Sequence, residues 1–205
     1  MNWLSHSQKV TKCGGSSAAY IFSMGWAPPY PETTGYIIPT FLNYYTITNE
    51  KKYLEIAKNM GDWEIEIQLN SGAVRGGIGI NDYPIVFNTG QVILGWVALY
   101  EKTKLEKYLK SAIKAADWLV EIQENDGSWS KFVHGGIAHP YHTRVAWSIL
   151  EVYKCKKDEK YLKSARQNIL YVLKLFDENY WIDVMRFDKN EKSLTHGIAY
   201  TLRGL

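Results

Sequence analysis

Glu32 lies between Pro31 and Thr33 at the head of an otherwise apolar stretch, PETTGYIIPTF. A carboxyl group placed there has two roles open to it. It can interact with the dipole and free N–H groups of a helix start. In a mouth lined by aromatic rings its pKa instead rises toward neutrality and it serves as a general acid or base. His142 and His196 stand 54 residues apart, each near the head of a further apolar stretch. They are the matching acid/base candidates, since an imidazole exchanges a proton near neutral pH; the alternative is a helix-start histidine bonded to its neighbouring loop. Glu32, His142 and His196 are therefore the catalytic candidates. No paired i, i+4 ligand spacing accompanies the histidines, so no metal is expected, and no cofactor motif is present. Tyr30, Asn88, Gln91, Tyr141 and Tyr200 occupy similar openings and are candidate substrate-binding residues, together with Trp26 and Tyr83, whose rings suit stacking on sugars. Arg144 joins them: a cation on an apolar helix needs a partner, either an anionic ligand or a carboxylate such as Glu32. His134, His139, Arg75 and Asp82 sit in loops that could reach the same place. The GGIG string lacks the Lys-Ser/Thr of a phosphate loop.

These residues converge only if the chain places their segments side by side, and an internal repeat does so. Segments starting at Thr33, Asn88 and His142 line up: Gly35, Gly90 and Arg144 correspond at separations of 55 and 54, and Tyr53, Tyr108 and Tyr161 at 55 and 53. A fourth copy begins at LTHGIAYTLRGL, with Gly197 lying 53 after Arg144. Each copy reads as two helices. The first, about 34–47, 89–102 and 142–155, is apolar nearly all round and so buried on most sides. The second, about 50–69, 105–123 and 158–176, has one apolar face with Lys and Glu opposite. Short polar turns join the helices within a copy, while 70–87, 124–141 and 177–193 are long and rich in Gly, Asn, Asp and Pro. Long loops and inner-helix N-termini then share one face, where function concentrates. Four helix N-termini aimed at one cavity favour an acidic group on the ligand.

Repeats of about 54 residues with long loops on one side favour a closed α/α toroid over an open superhelix. The expected fold is all-α, a single domain over 1–205 with repeats near 33–87, 88–141 and 142–193 and the start of a fourth at 194–205. That makes about three and a half hairpins, a partial or open ring: a closed ring of six would need roughly 320 residues. Further C-terminal hairpins or a second copy of the chain would cover the exposed edge.

Composition narrows the class. Of 205 residues, 46% are hydrophobic and 22% charged, which is globular rather than disordered. With 24 basic against 21 acidic residues, the net charge of +3 is too weak and dispersed for a nucleic-acid partner. No apolar run approaches a membrane span. The N-terminus MNWLSHSQKVTK lacks a secretory signal, and Cys13 and Cys155 show no ligand or disulfide spacing, so a cytoplasmic setting is expected. The outlying feature is the aromatics: 8 Trp, 15 Tyr and 6 Phe. Trp63, Trp96, Trp118 and Trp147 fall at helical core positions.

Lys114, Ala115, Trp118, Leu119, Gln123, Gly127 and Trp129 resemble the QW repeat of squalene and related triterpene cyclases, whose α/α-barrel domains carry it at outer-helix ends. A degenerate copy comprises Lys58, Trp63, Gln68 and Gly72, with Val74 in place of the closing Trp. In those enzymes the element is structural, and neither DxDD nor DDxxD occurs here. The stretches GWAPPYPETTGYIIPT, VFNTGQV and YHTRVAW are similar to squalene-cyclase-like toroid proteins found near polysaccharide-assembly genes. That resemblance covers most of the chain from Gly14 and implies a glycan context. The wider six-hairpin class includes unsaturated glucuronyl hydrolases, polysaccharide lyases and glucuronyl C5-epimerases, with substrate in the toroid mouth. The expected function is thus action on, or binding of, an anionic glycan or glycan precursor by a hydrolase, lyase or epimerase. A noncatalytic glycan-binding or assembly module is one alternative. A terpenoid- or prenyl-handling protein is another, and it would have an apolar mouth.

Overall fold

The computed structural model describes residues 1–79, 81–182 and 192–205. Among these residues eight α-helices and one small hairpin follow in order: α1 (Asn2–Thr11), β1 (Tyr20–Ile21), β2 (Gly25–Trp26), α2 (Pro31–Thr48), α3 (Lys51–Glu66), α4 (Val86–Thr103), α5 (Glu106–Glu121), α6 (Thr143–Lys156), α7 (Glu159–Leu173) and α8 (Thr195–Gly204). The pairs α2/α3, α4/α5 and α6/α7 are the three expected helical hairpins, with ends within a few residues of the periodic reading. Helices α2, α4 and α6 pack side by side as an inner layer, and α3, α5 and α7 lie outside them. The middle inner helix is enclosed to the point that every residue from Val86 to Val97 is buried. An amphipathic helix could not tolerate that, and the near-continuous apolar sequence explains it. The outer α5 instead buries one stripe, Tyr108, Leu109, Ala112, Ala115, Ala116 and Leu119.

The short turns repeat in detail. Each inner helix stops at a left-handed residue, Asn49, Lys104 or Lys157, whose N–H returns to the carbonyl of Tyr45, Tyr100 or Tyr153. Gly35 and Gly90 let neighbouring inner helices approach closely: a Cβ on Gly35 would sit 2.6 Å from Val92 Cα, and one on Gly90 3.1 Å from Val145 Cα.

The outer-helix ends carry matching staples. Gln68 Nε2 donates to Gly72 O at 2.8 Å and to Ser111 O at 3.1 Å, and Gln123 Nε2 donates to Gly127 O at 2.9 Å and Ser164 O at 3.0 Å. Each glutamine closes its own turn and ties it to the next outer helix. Gly72 (φ +100) and Gly127 (φ +93) take backbone conformations that suit glycine, pressed against the carbonyls of Lys114 and Gln167. Trp129 is fully buried with Nε1 on Leu119 O at 2.9 Å. The element acts structurally, as its resemblance to the cyclase repeat implies.

One region departs from the repeat. Residues 1–30 carry no repeat periodicity, yet they fold as α1 and the β1/β2 hairpin. Helix α8 stands against α6 as the fourth inner helix, with Thr143 Oγ1 donating to Thr201 O at 2.9 Å and Gly204 pressed against the Thr143–Arg144 peptide. Most of the third long segment, expected over 177–193, lies outside the described residues. Among the described residues no helix is long and apolar enough to cross a membrane.

Candidate functional site

The inner-helix starts and the long loops enclose a cavity of about 370 Å³. Tyr30 and Glu32 enter it from α2, Phe87 and Asn88 from α4, Tyr141 and His142 from the turn leading into α6, and His196 and Tyr200 from α8, with Tyr83 on the rim. Threonines fix these starts. Thr34 Oγ1 donates to Tyr30 O at 2.8 Å and accepts from Ser16 N at 2.8 Å. One repeat later, Thr89 Oγ1 donates to Ile85 O at 2.8 Å and accepts from Val74 N at 3.0 Å. Each threonine pins a preceding segment to a helix start, a positioning role rather than a ligand-facing one.

Glu32 is the only carboxylate lining the cavity among the described residues. Burial pushes its pKa up, and the Tyr30 hydroxyl bond, His196 and Arg144 oppose that without cancelling it. The Tyr30 hydroxyl donates to Glu32 Oε2, and the neighbouring carboxylate adds to burial in keeping that phenol protonated. Asn88 Nδ2 donates to Arg75 O at 3.1 Å. Phe87, Tyr141 and Tyr200 form an aromatic floor, with Tyr141 edge-on to Phe87 at 5.1 Å and Tyr200 tilted over it at 5.3 Å.

His142 is fully buried, edge-on to Trp129 at 6.1 Å, and its Nε2 has no hydrogen-bond partner among the described residues. Burial and the nearby His139 push its pKa down to about 3. Its imidazole therefore stays neutral near physiological pH, which takes it out of the proton exchange expected of it. The exposed His196 packs edge-on against Tyr200 at 4.3 Å.

Three expected ligand contacts lie elsewhere. Gln91 is one turn deeper than Asn88 on the enclosed α4 and fully buried; its Oε1 accepts from Arg144 Nε at 2.6 Å. Arg144 stacks over Tyr200 at 4.8 Å and Trp147 at 5.4 Å, and opens on a separate groove with Tyr36, Glu151 and Arg203. It biases Glu32 from beneath rather than lining the mouth. Trp26 is turned away by its strand pairing and packs against Trp3 at 4.6 Å. Of the four core tryptophans, Trp63, Trp96 and Trp118 are buried, while Trp147 lines the Arg144 groove. In the loops, Arg75 pairs with Asp82, and His139 Nε2 lies 2.8 Å from His134 O. Phe87 and Ile85 escaped notice because they fall at the end of a segment that reads as loop. Among the described residues no group of three or more His, Cys, Asp or Glu side chains stands close enough to hold a metal.

The family model described as Glycosyl Hydrolase Family 88 matches residues 30–143, from the first mouth residue to the start of α6. Among solved structures, a possible member of the GH105 family from Salmonella enterica aligns over 99% of this chain and 62% of its own, with a TM-score of 0.78 and 12% identity. A GH76 alpha-mannanase from Bacteroides thetaiotaomicron aligns over 93% and 55%, at 0.67 and 18%. Cellobiose 2-epimerase from Bacillus thermoamylovorans aligns over 80% and 46%, at 0.60 and 15%. At these identities the likeness establishes the α/α-toroid fold, and the chain spans between 46% and 62% of the length of these proteins. No curated protein matches the chain.

Proposed function

This chain belongs to glycosyl hydrolase family 88, and from that premise we propose that it transforms a glycan held in the mouth, with Glu32 as the proton-transferring group. The observation that carries this is the Glu32 carboxyl itself, hydrogen-bonded by Tyr30 and raised in pKa by burial at the edge of an aromatic cavity. A carboxyl group whose pKa is raised by burial is suited to protonating a glycosidic oxygen. The same transfer starts an elimination or an epimerisation; family membership puts hydrolysis first. Asn88 and the Tyr141 and Tyr200 rings would orient the sugar, and His196, on the same cavity wall, is the second acid/base candidate. Inner-helix N-termini at the mouth favour an acidic group on the substrate.

A noncatalytic glycan-binding role is the second reading, favoured by the absence of another carboxylate lining the mouth among the described residues, since a conventional glycosidase uses two. One experiment separates them. Wild type and Glu32→Gln are screened against a panel of neutral and acidic oligosaccharides for thermal shift and for product formation. Binding by both proteins with turnover lost in the variant supports the enzyme; binding with no turnover by either supports the module. If no glycan shifts either protein, the carbohydrate assignment is wrong.

A further inference from the structure

The β1/β2 hairpin carries Tyr20 and Trp26 as a directly opposed pair, so both rings lie on one face. Trp3 and His6, one turn apart on α1, meet that face. Trp3 lies 4.6 Å from Trp26 and 5.9 Å from Tyr20, and Tyr20 lies 5.2 Å from Trp26. Trp3 nevertheless remains 59% exposed and Tyr20 43%. Two strands of two residues each would not hold together alone. Backbone bonds lock the segment: Ala18 N to Pro28 O at 3.0 Å, Ala27 N to Ala19 O at 2.9 Å, and Tyr30 N to Ser16 O at 3.0 Å. A rigid frame thus presents large aromatic surface to solvent, which is the arrangement of a binding wall rather than of a core.

Behind the rings is a cavity of about 390 Å³ whose other walls are α1, the Ser16–Ala19 strip and the face of α2 that carries Thr33, Tyr36 and Thr40. Among the described residues no charged side chain lines it. The hydroxyls of Ser7 and Ser16 are spent on each other at 2.7 Å, and that of Ser17 on Ala19 O and Ala27 O. Tyr36 and Thr40 add hydroxyls at the edge shared with the Arg144 groove, the Tyr36 phenol lying within electrostatic reach of Tyr200, Glu32 and Arg144. Burial pushes the Tyr36 phenol up to about 12, so it remains a donor. Aromatic walls with uncharged hydroxyls at their edge match a sugar ring, which has an apolar C–H face and a hydroxyl rim. They do not match an acid, which would need a cation.

We infer that this cavity is a second glycan subsite, one that takes an uncharged pyranose unit of the same glycan whose reacting unit occupies the mouth. The inference rests on the glycan assignment of the mouth. The two cavities flank α2, Glu32 facing one and the adjacent Thr33 the other, so they lie about one helix diameter, ~10 Å, apart. The substrate is then an oligosaccharide or polysaccharide rather than a single sugar.

The test uses cellohexaose, mannohexaose and xylohexaose as neutral probes and hexagalacturonate as the acidic one, with the indole N–H signals of Trp3 and Trp26 followed by NMR. At least one neutral hexaose is expected to shift both indoles, and Trp3→Ala, at an exposed position that should spare the fold, is expected to weaken it about tenfold, ~1.4 kcal/mol. Tyr20→Ala provides a second variant, with thermal melting as the control for folding. Glu32→Gln should leave that tenfold loss in place, which separates failure of this subsite from failure of the mouth. The inference is overturned if no neutral hexaose moves the indoles at millimolar concentration, if Trp3→Ala and Tyr20→Ala bind as wild type does, or if hexagalacturonate is the preferred ligand of the two indoles.

Discussion

Replacing Gln123 by alanine removes two hydrogen bonds, at 2.9 Å to Gly127 O and 3.0 Å to Ser164 O. At about 1 kcal/mol net for each, the loss is about 2 kcal/mol. It goes no further, because Gly127 O keeps a second donor, Asn168 Nδ2 at 2.9 Å. Gln68→Ala removes the equivalent pair one repeat earlier, but the position matching Asn168 is Ala115, which has no donor to offer. The buried Gly72 carbonyl loses its side-chain partner, adding roughly 1 kcal/mol or more. The expected totals are about 2 kcal/mol for Gln123→Ala and about 3 kcal/mol for Gln68→Ala. At roughly 2–4 °C per kcal/mol for a chain of this size, those become losses in Tm of about 4–8 °C and 6–12 °C. Motif completeness alone orders them the other way, since the second copy retains its closing Trp129 and the first has Val74. Thermal melts of the two single variants decide. Equal losses, or a larger one for Gln123→Ala, would refute the staple energetics.

Other expectations follow from buried polar groups. Glu64 is fully buried with neither carboxyl oxygen partnered, and burial holds its pKa well above the ordinary 4.5. The stability it permits is complete below 4.5 and drains away as pH rises through the folded-state value. Glu64→Leu, which copies Leu119 of the next repeat, should raise Tm at neutral pH and flatten its decline toward alkaline pH; an unchanged slope would count against a buried, protonated Glu64. Tyr30→Phe removes the bond that opposes the raised pKa of Glu32, so its carboxyl should hold its proton to higher pH than in wild type. Infrared titration of the carboxyl band reads this without needing turnover, and a downward move would contradict it. Trp3→Ala should weaken neutral hexaoses about tenfold, as argued above for the second cavity.

Much of the fold was legible because each helix type advertises its surroundings. The all-apolar stretch through Val92–Leu99 can only be enclosed, and the striped α5 can only lie with one side in water. The mouth was legible for the same reason: Tyr30, Glu32, Asn88, Tyr141, His142, His196 and Tyr200 sit at element starts that the repeat aligns, and they line one cavity. Gln91 and Arg144 were misplaced because a repeat fixes which helix end a residue occupies but not its depth, and one turn carries Gln91 below the floor. Trp26 was misplaced because the two-residue strands that orient it leave no periodic trace. Glu64 was hidden by chemistry: a glutamate on an outer helix reads as solvated, and only the stripe Ala57, Met60, Gly61 and Glu64 in three dimensions turns it inward.

The central claim is that the reacting sugar sits in the mouth against Glu32. The most direct measurement is a structure of Glu32→Gln crystals soaked with whichever oligosaccharide binds in the panel. A sugar ring on the Phe87, Tyr141 and Tyr200 floor, with a glycosidic or ring-carbon position within ~3 Å of the side chain at position 32, is the predicted result. A well-ordered sugar bound elsewhere, with the mouth left to solvent, would contradict it.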